Sequence, residues 1–254
     1  MMQQSFKKLL ENEKRIVGMF VNTACPEFLE IAAYTGYKFV IIDNEHGCWD
    51  GETNSHLIRA ADAAGIVPLV RVSQIDETEI KKALDSGASG VMIPGVSSVA
   101  DAELALKYSK FAPVGMRGAC PYVRANQFSA GDKTKYFDEC NKEQVVIMLV
   151  EGKEGLAAFD DIIALEGVNC VFFGPCDMAV SLGHPGEDDH PEVIAAIKDM
   201  TARARAKGVY TGMLGFDGKN SRYWLDQGID YICALSDGGL FFEICQKTLK
   251  EINE

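Results

Sequence analysis

A chain of 254 residues, 47% hydrophobic and 24% charged, can bury one large core and is too evenly mixed for disorder. Its formal net charge of −12 argues against nucleic acid and anionic membrane surfaces, both of which need a basic face, so an anionic substrate would require a local cation. The opening MMQQSFKKLLENEKR lacks the apolar core of an export signal and no apolar run approaches the ~20 residues of a membrane span, so a cytoplasmic protein with no membrane partner is expected.

In chain order, Ser5–Asn12 reads as a short amphipathic helix and Ile16–Val21 as a strand. Pro26 suits a first helical turn, so Glu27–Tyr34 is a helix closed by Gly36, and Phe39–Asp43 is an apolar strand ending in Asp-Asn-Glu-His-Gly. Thr53–Ala64 is a helix ending at Gly65, and Val67–Val72 is a strand carrying Arg71 at its far end. Asp76 with Glu79 caps a helix running to Ser86, Gly90–Pro94 is a fourth strand, and Ser98 caps a helix through Tyr108. The stretch from Phe111 to Lys142 has little periodicity, and we expect a cover over the active site on the rim side. Val145–Val150, Glu154–Leu165 and Cys170–Phe173 form one strand, helix, strand unit, each strand running directly toward a carboxylate, Glu151 and Asp177. Pro191–Lys207 is a helix, Val209–Leu214 a strand, Lys219–Gln227 a helix and Asp230–Leu235 the eighth strand.

No linker, low-complexity tract or block of like charge divides the chain, so residues 1–254 read as a single domain. Eight strands alternating with helices give a (β/α)₈ TIM barrel. A doubly wound open sheet is the competitor, but FVNTACPE after the first strand carries no glycine-rich fingerprint.

Barrel active sites lie at the carboxyl ends of the strands, which collects Asp43, Glu45, His46, Arg71, Glu151 and Asp177. Two carboxylates suit either a glycosidase acid/base pair or hard oxygen ligands for a divalent ion. An arginine and a histidine favour a metal-bound anion, since only Phe172 and Phe173 are at hand as sugar platforms. Each residue also has a structural role available. Glu151 and Asp177 could cap helices, His46 could be a satisfied core histidine, although Asp43 three residues earlier could orient its ring, and Arg71 could be a buried ion-pair partner. His56, His184 and His190 have no partner at metal-ligand spacing and read as surface or capping residues. Ser236-Asp237-Gly238-Gly239 reads equally as a phosphate nest and as a helix cap. The eight cysteines form no C-x-x-C pair and read as free thiols.

In FVIIDNEHG (39–47), PLVRV (68–72), IKKALDSGASGVMIPGVSS (80–98), PVGMRG (113–118), LVEGKEG (149–155) and VFFGPCDMAVSLG (171–183) the chain resembles the HpcH/HpaI family of class II pyruvate aldolases, over nearly its whole length. The resemblance implies that Glu151 and Asp177 ligate Mg²⁺, Mn²⁺ or Co²⁺. It implies that Arg71 holds the pyruvyl oxygen and that His46, oriented by Asp43, is the acid/base. Gly174, Pro175 and Cys176 would border the substrate, and Asp85 matches a position near the mouth of a neighbouring subunit's site. The implied reaction is reversible cleavage of a 4-hydroxy-2-oxo acid to pyruvate and an aldehyde, through an enolate held at the ion. The implied assembly is a homo-hexamer, a trimer of dimers, in which the last helix packs on a neighbour. Leu149 departs from the glutamine common two residues before the metal glutamate. Two other readings compete: a CoA-thioester lyase of the citrate-lyase β-subunit type, and a barrel that serves as a non-catalytic binding module. Against a Schiff-base aldolase, no lysine ends a strand.

Overall fold

The computed structural model describes residues 5–254, and the four before them, the start of the stretch searched for an export signal, lie outside the described residues. Eight parallel strands close in sequence order into a barrel: β1 (Ile16–Val21), β2 (Phe39–Asp43), β3 (Val67–Arg71), β4 (Gly90–Ile93), β5 (Val145–Val150), β6 (Cys170–Phe173), β7 (Tyr210–Gly215) and β8 (Tyr231–Ser236). The TIM-barrel expectation holds, with most element ends shifted by a residue or so. Among the described residues no helix is long and apolar enough to cross a membrane.

Two apolar layers form because each strand alternates its side chains. Phe39, Ile41, Leu69, Met92, Ile147, Leu149, Phe172 and Tyr231 belong to one buried cluster, which fills the barrel. Val40, Ile42, Val70, Val91, Met148, Val171 and Phe173 belong to the other, beneath the helices. Helix α1 (Phe6–Asn12), capped by Ser5, is a plug for the amino end of the barrel. Its Phe6 ring packs edge-on against Phe39 and Tyr231, with centroids 5.0 and 5.2 Å apart, and the Phe6 N–H donates to Ser89 Oγ. Gly18 is required opposite this stack, since a Cβ there would lie 2.5 Å from the Phe39 ring.

Helices α2 (Pro26–Thr35), α3 (Gly51–Ala64), α4 (Glu77–Asp85) and α5 (Val99–Ser109) then alternate with the first strands. The stretch from Phe111 to Lys142 corrects the expectation of an irregular active-site cover. It contains a 3₁₀ helix, Arg124–Ser129, and α6 (Lys133–Glu143). It joins a helix to a strand, and in a parallel barrel such connections fall at the amino ends, opposite the chemistry. Its contacts lie there: Arg117 donates to Gln144 Oε1 and Asp85 Oδ1, Arg124 donates to the Ser86 carbonyl, and Lys110 donates to the Asn141 and Gln144 carbonyls. The remaining helices are α7 (Lys153–Ile162), α8 (Pro175–Leu182), α9 (Pro191–Ala206), α10 (Gly218–Gln227) and α11 (Asp237–Asn253).

Candidate active site at the carboxyl ends of the strands

A cavity of about 280 Å³ opens at the carboxyl ends of the strands, lined among others by Asn22, Asp43, His46, Arg71, Glu151 and Asp177. Gly174, Pro175 and Cys176 border it as well, while Phe20, Leu149, Phe172, Leu214 and Leu235 supply an apolar wall.

Parallel register sets the first pair. Asp43 and Arg71 are cross-strand partners at the ends of β2 and β3. Arg71 Nε donates to Asp43 Oδ1 at 2.8 Å and Nη2 to Oδ2 at 2.7 Å, while Nη1 lies 2.8 Å from Glu45 Oε2. This side-on fork is the strongest arrangement available to a guanidinium and a carboxylate. The Phe20 ring lies under the Arg71 guanidinium, 4.8 Å from centroid to Cζ. Three of arginine's five N–H groups are thereby engaged, and the rest, on Nη1 and Nη2, are left for a ligand oxygen.

The register also corrects the expected partnership of Asp43 with His46. Asp43 Oδ1 accepts the backbone N–H of Glu45 at 3.1 Å and lies 3.5 Å from that of His46, closing the turn after β2. Its carboxylate is spent on Arg71 and Asn22, so it does not orient the imidazole. The His46 ring is exposed at the edge of the cavity, and among the described residues no hydrogen bond holds it.

Glu151 follows β5 directly and accepts the Gly95 N–H at 2.9 Å. It does not cap α7, whose N-cap is Gly152. Asp177 lies in the first turn of α8, behind the Gly174-Pro175 entry that starts the helix. A Cβ at Gly174 would fall 2.7 Å from Glu151 Oε2 and 3.1 Å from its Cβ, so a larger residue there would push the Glu151 side chain out of this position. Burial pushes the Glu151 carboxyl up to about 7, and the charges of Asp177 and Glu45 push the same way against the Gly95 hydrogen bond and Arg71. Burial also raises Glu45, with Arg71 opposing. Four carboxylates thus share one guanidinium that Asp43 and Glu45 already occupy. A donor set of hard oxygens in want of positive charge is one that could hold a divalent cation, Glu151 and Asp177 being the two carboxylates not committed to Arg71.

The other assigned residues separate. Leu149 is buried and points into the cavity, where it keeps that side dry. Cys176 donates through Sγ to Asp188 Oδ2 at 3.3 Å, and burial pushes its thiol up to about 12. Asp85 is not in the cavity of its own chain; it ends α4 at the opposite face, paired with Arg117 at 2.5 Å. His190 does cap α9, through Nδ1 and the Glu192 N–H, and His184 Nε2 lies 2.9 Å from Glu192 Oε2. Those three side chains can approach one ion, contrary to the expectation of no partner. Their two rings are nevertheless stacked face to face at 3.4 Å and 17°, which points the lone pairs along parallel planes and away from a common centre. Among the described residues all eight cysteines are free.

The nest reading of 236–239 gives way to the cap. Ser236 Oγ accepts the Gly239 N–H, and the Asp237 carboxylate itself fills the surrounding donors. Sequence reasoning missed Asn22 altogether and read Asp237 only as part of a nest or cap, without its link to the loop after β1. Asn22 Nδ2 donates to Asp43 Oδ2 at 2.6 Å, and the Asn22 backbone N–H donates to Asp237 Oδ1 at 2.9 Å. Their signal was position, one residue past β1 and one past β8.

The sequence profile of the HpcH/HpaI aldolase/citrate lyase family matches residues 16–243. The chain is 33% identical to a 5-keto-4-deoxy-D-glucarate aldolase of Shigella boydii over 242 residues, covering 95% of this chain and 93% of that protein. It is 32% identical to a hydroxypyruvate/pyruvate aldolase of Pseudomonas aeruginosa over 248 residues, covering 97% and 90%. A crystal structure of a HpcH/HpaI aldolase/citrate lyase family protein from Burkholderia cenocepacia superposes with a TM-score of 0.92 at 30% identity, covering 98% of each chain.

Proposed function

The chain belongs to the HpcH/HpaI aldolase/citrate lyase family and is a carbon–carbon lyase of the aldolase kind, and from that premise we propose that it works at the cavity built on Arg71, Glu151 and Asp177. The substrate is a 4-hydroxy-2-oxo acid, cleaved reversibly to pyruvate and an aldehyde. The observation that carries this reading is Glu151, a half-buried carboxylate beside Asp177 and Glu45 with a single backbone donor, held at the end of β5.

A divalent ion, Mg²⁺, Mn²⁺ or Co²⁺, bound by Glu151 and Asp177 would supply Lewis-acid polarisation of the 2-oxo group. The remaining steps fall to the chain's own side chains. Arg71 presents its uncommitted N–H groups to the pyruvyl oxygens and stabilises the negative charge that develops there as the carbon–carbon bond breaks. Asp43 and Glu45 keep the guanidinium in place. His46, at the mouth with its ring unheld, takes the proton from the C4 hydroxyl in cleavage and returns it in addition. The apolar wall of Phe20, Leu149, Phe172 and Leu214 excludes water from the carbon that becomes the pyruvate methyl.

The test is solvent-deuterium exchange into the methyl group of pyruvate, followed by NMR with and without added Mn²⁺, which reports the enolate without any choice of aldehyde. Exchange that requires the ion supports the reading, and its absence at all ion concentrations overturns it. We further place the enzyme in the cytoplasm as a hexamer, a trimer of dimers. The free thiols support the first, and the exposed Phe241, Phe242, Ile244, Leu249 and Ile252 of α11 support packing of that helix on a neighbour.

A further inference from the structure

We propose that Asp237 and Asn22 are positioning residues for the Arg71 guanidinium, so that the first turn of α11 sets the geometry of the anion-holding group across four adjacent strands. The inference rests on the reading of Arg71 given above. In the closed barrel β8, β1, β2 and β3 are neighbours, and a continuous hydrogen-bonded chain crosses their carboxyl ends. Asp237 accepts the N–H groups of Asn22 and Thr23 and the Thr23 hydroxyl, Asn22 donates to Asp43, and Asp43 forks Arg71.

Each link is constrained. Asp237 is 2% exposed, and the partners its carboxylate has in the structure are N–H and O–H groups, its own helix's Gly238 N–H among them. A buried carboxylate dispensed from water is costly unless those donors are held against it, so the loop after β1 is fixed to the start of α11. Asn22 then donates to Oδ2 of Asp43, the oxygen that also accepts Arg71 Nη2. With Asn22 added to the two Arg71 donors and the Glu45 N–H, the carboxylate cannot turn about its last bond without breaking a contact, and the plane of the fork is set. The backbone shows what aims Asp237. Between Gly18↔Cys233 and Phe20↔Ser236 the β1–β8 register slips, and Leu235 in the slipped segment has φ +62°. A bulge with a non-glycine residue in the left-handed region re-aims the chain, and such strain collects beside functional sites.

The experiment compares wild type with Asn22→Ala, Asp237→Asn, Asp237→Ala and the double variant Asn22→Ala/Asp237→Ala. Asp217→Ala serves as control: it removes the N-cap of α10 and touches none of these residues. Two readouts are taken, kcat and KM for pyruvate methyl exchange, and the solvent-exchange rate of the Arg71 Nε–H in a ¹H–¹⁵N spectrum, its signal identified by loss in Arg71→Lys. Misplacing a catalytic group by a fraction of an ångström to 1 Å lowers turnover roughly tenfold to a hundredfold, so kcat should fall by that much in Asn22→Ala and Asp237→Ala while KM changes less. Asp237→Asn, which keeps an acceptor, should fall between. Residues in one chain are not additive, so the double variant should be no worse than the worse single. The Arg71 Nε–H should exchange faster in each variant and stay unchanged in Asp217→Ala. Additive losses, or an Nε–H as protected in Asn22→Ala as in wild type, overturn the proposal. Should Asp237→Ala fail to fold, Asn22→Ala and Asp237→Asn decide it. If wild type shows no exchange into pyruvate, the functional reading fails, and the Nε–H measurement still tests the positioning chain.

Discussion

Glu151 carries the strongest electrostatic demand in the cavity, a carboxyl raised to about 7 with Asp177 and Glu45 adding negative charge around it. Glu151→Gln and Asp177→Asn should each abolish metal-dependent exchange into pyruvate and leave far-ultraviolet circular dichroism unchanged. Undiminished exchange in either variant would strike that residue from the ligands. Arg71→Lys keeps the charge but cannot make the side-on fork to Asp43, and turnover should drop at least about a hundredfold, as on removal of one oxyanion donor. Near-normal turnover would mean that the arginine only holds the turn after β2. For His46→Ala, aldol cleavage should be lost while oxaloacetate decarboxylation suffers less, because loss of carbon dioxide needs no proton from an alcohol. Equal losses in a paired assay would assign the imidazole to substrate placement. The rim residues were legible in the sequence because an apolar barrel strand delivers its next polar residue to one known face. Their partners were not. Asp43 pairs with Arg71 instead of the nearby His46 because register between strands, which no local spacing records, places the two opposite each other.

The connection from α5 to β5 shows why elements were easier to name than to place. Its polar, proline-containing sequence hides α6, of which only Tyr136 is fully buried, and a reading without the barrel's polarity put the whole stretch over the active site. Topology puts it at the amino ends, where Lys110 bridges the Asn141 and Gln144 carbonyls and so ties the start of the excursion to its finish. Burial, with a smaller push from Arg117, pulls the Lys110 ammonium down to about 8. Between that value and the ordinary one near 10.5 the unfolded chain binds the proton that the folded chain has released, so this lysine makes stability rise with pH across that window. Lys110→Met removes the contribution. The melting temperature of wild type relative to the variant should therefore climb from about pH 8 to about pH 10, and a constant gap would show the ammonium to be solvated.

At the scale of the molecule, α11 leaves an apolar face uncovered, with Phe242 64% and Leu249 61% exposed. If the proposed hexamer packs through this face, Phe242→Glu with Leu249→Glu should shift it to smaller species by light scattering, and an unchanged mass would assign the assembly to another surface. The amino end has a different consequence, one of timing. Phe6 of α1 packs edge-on against Tyr231 of the last strand, and both rings meet Phe39 of β2. This aromatic cluster therefore joins positions 6, 39 and 231, far apart in sequence, and it cannot assemble until β8 is in place. Contacts of such long separation must be closed before they contribute anything, which slows folding and leaves the early strands exposed on the nascent chain. A protein whose chemistry is settled at one end of its barrel has the pace of its birth settled at the other.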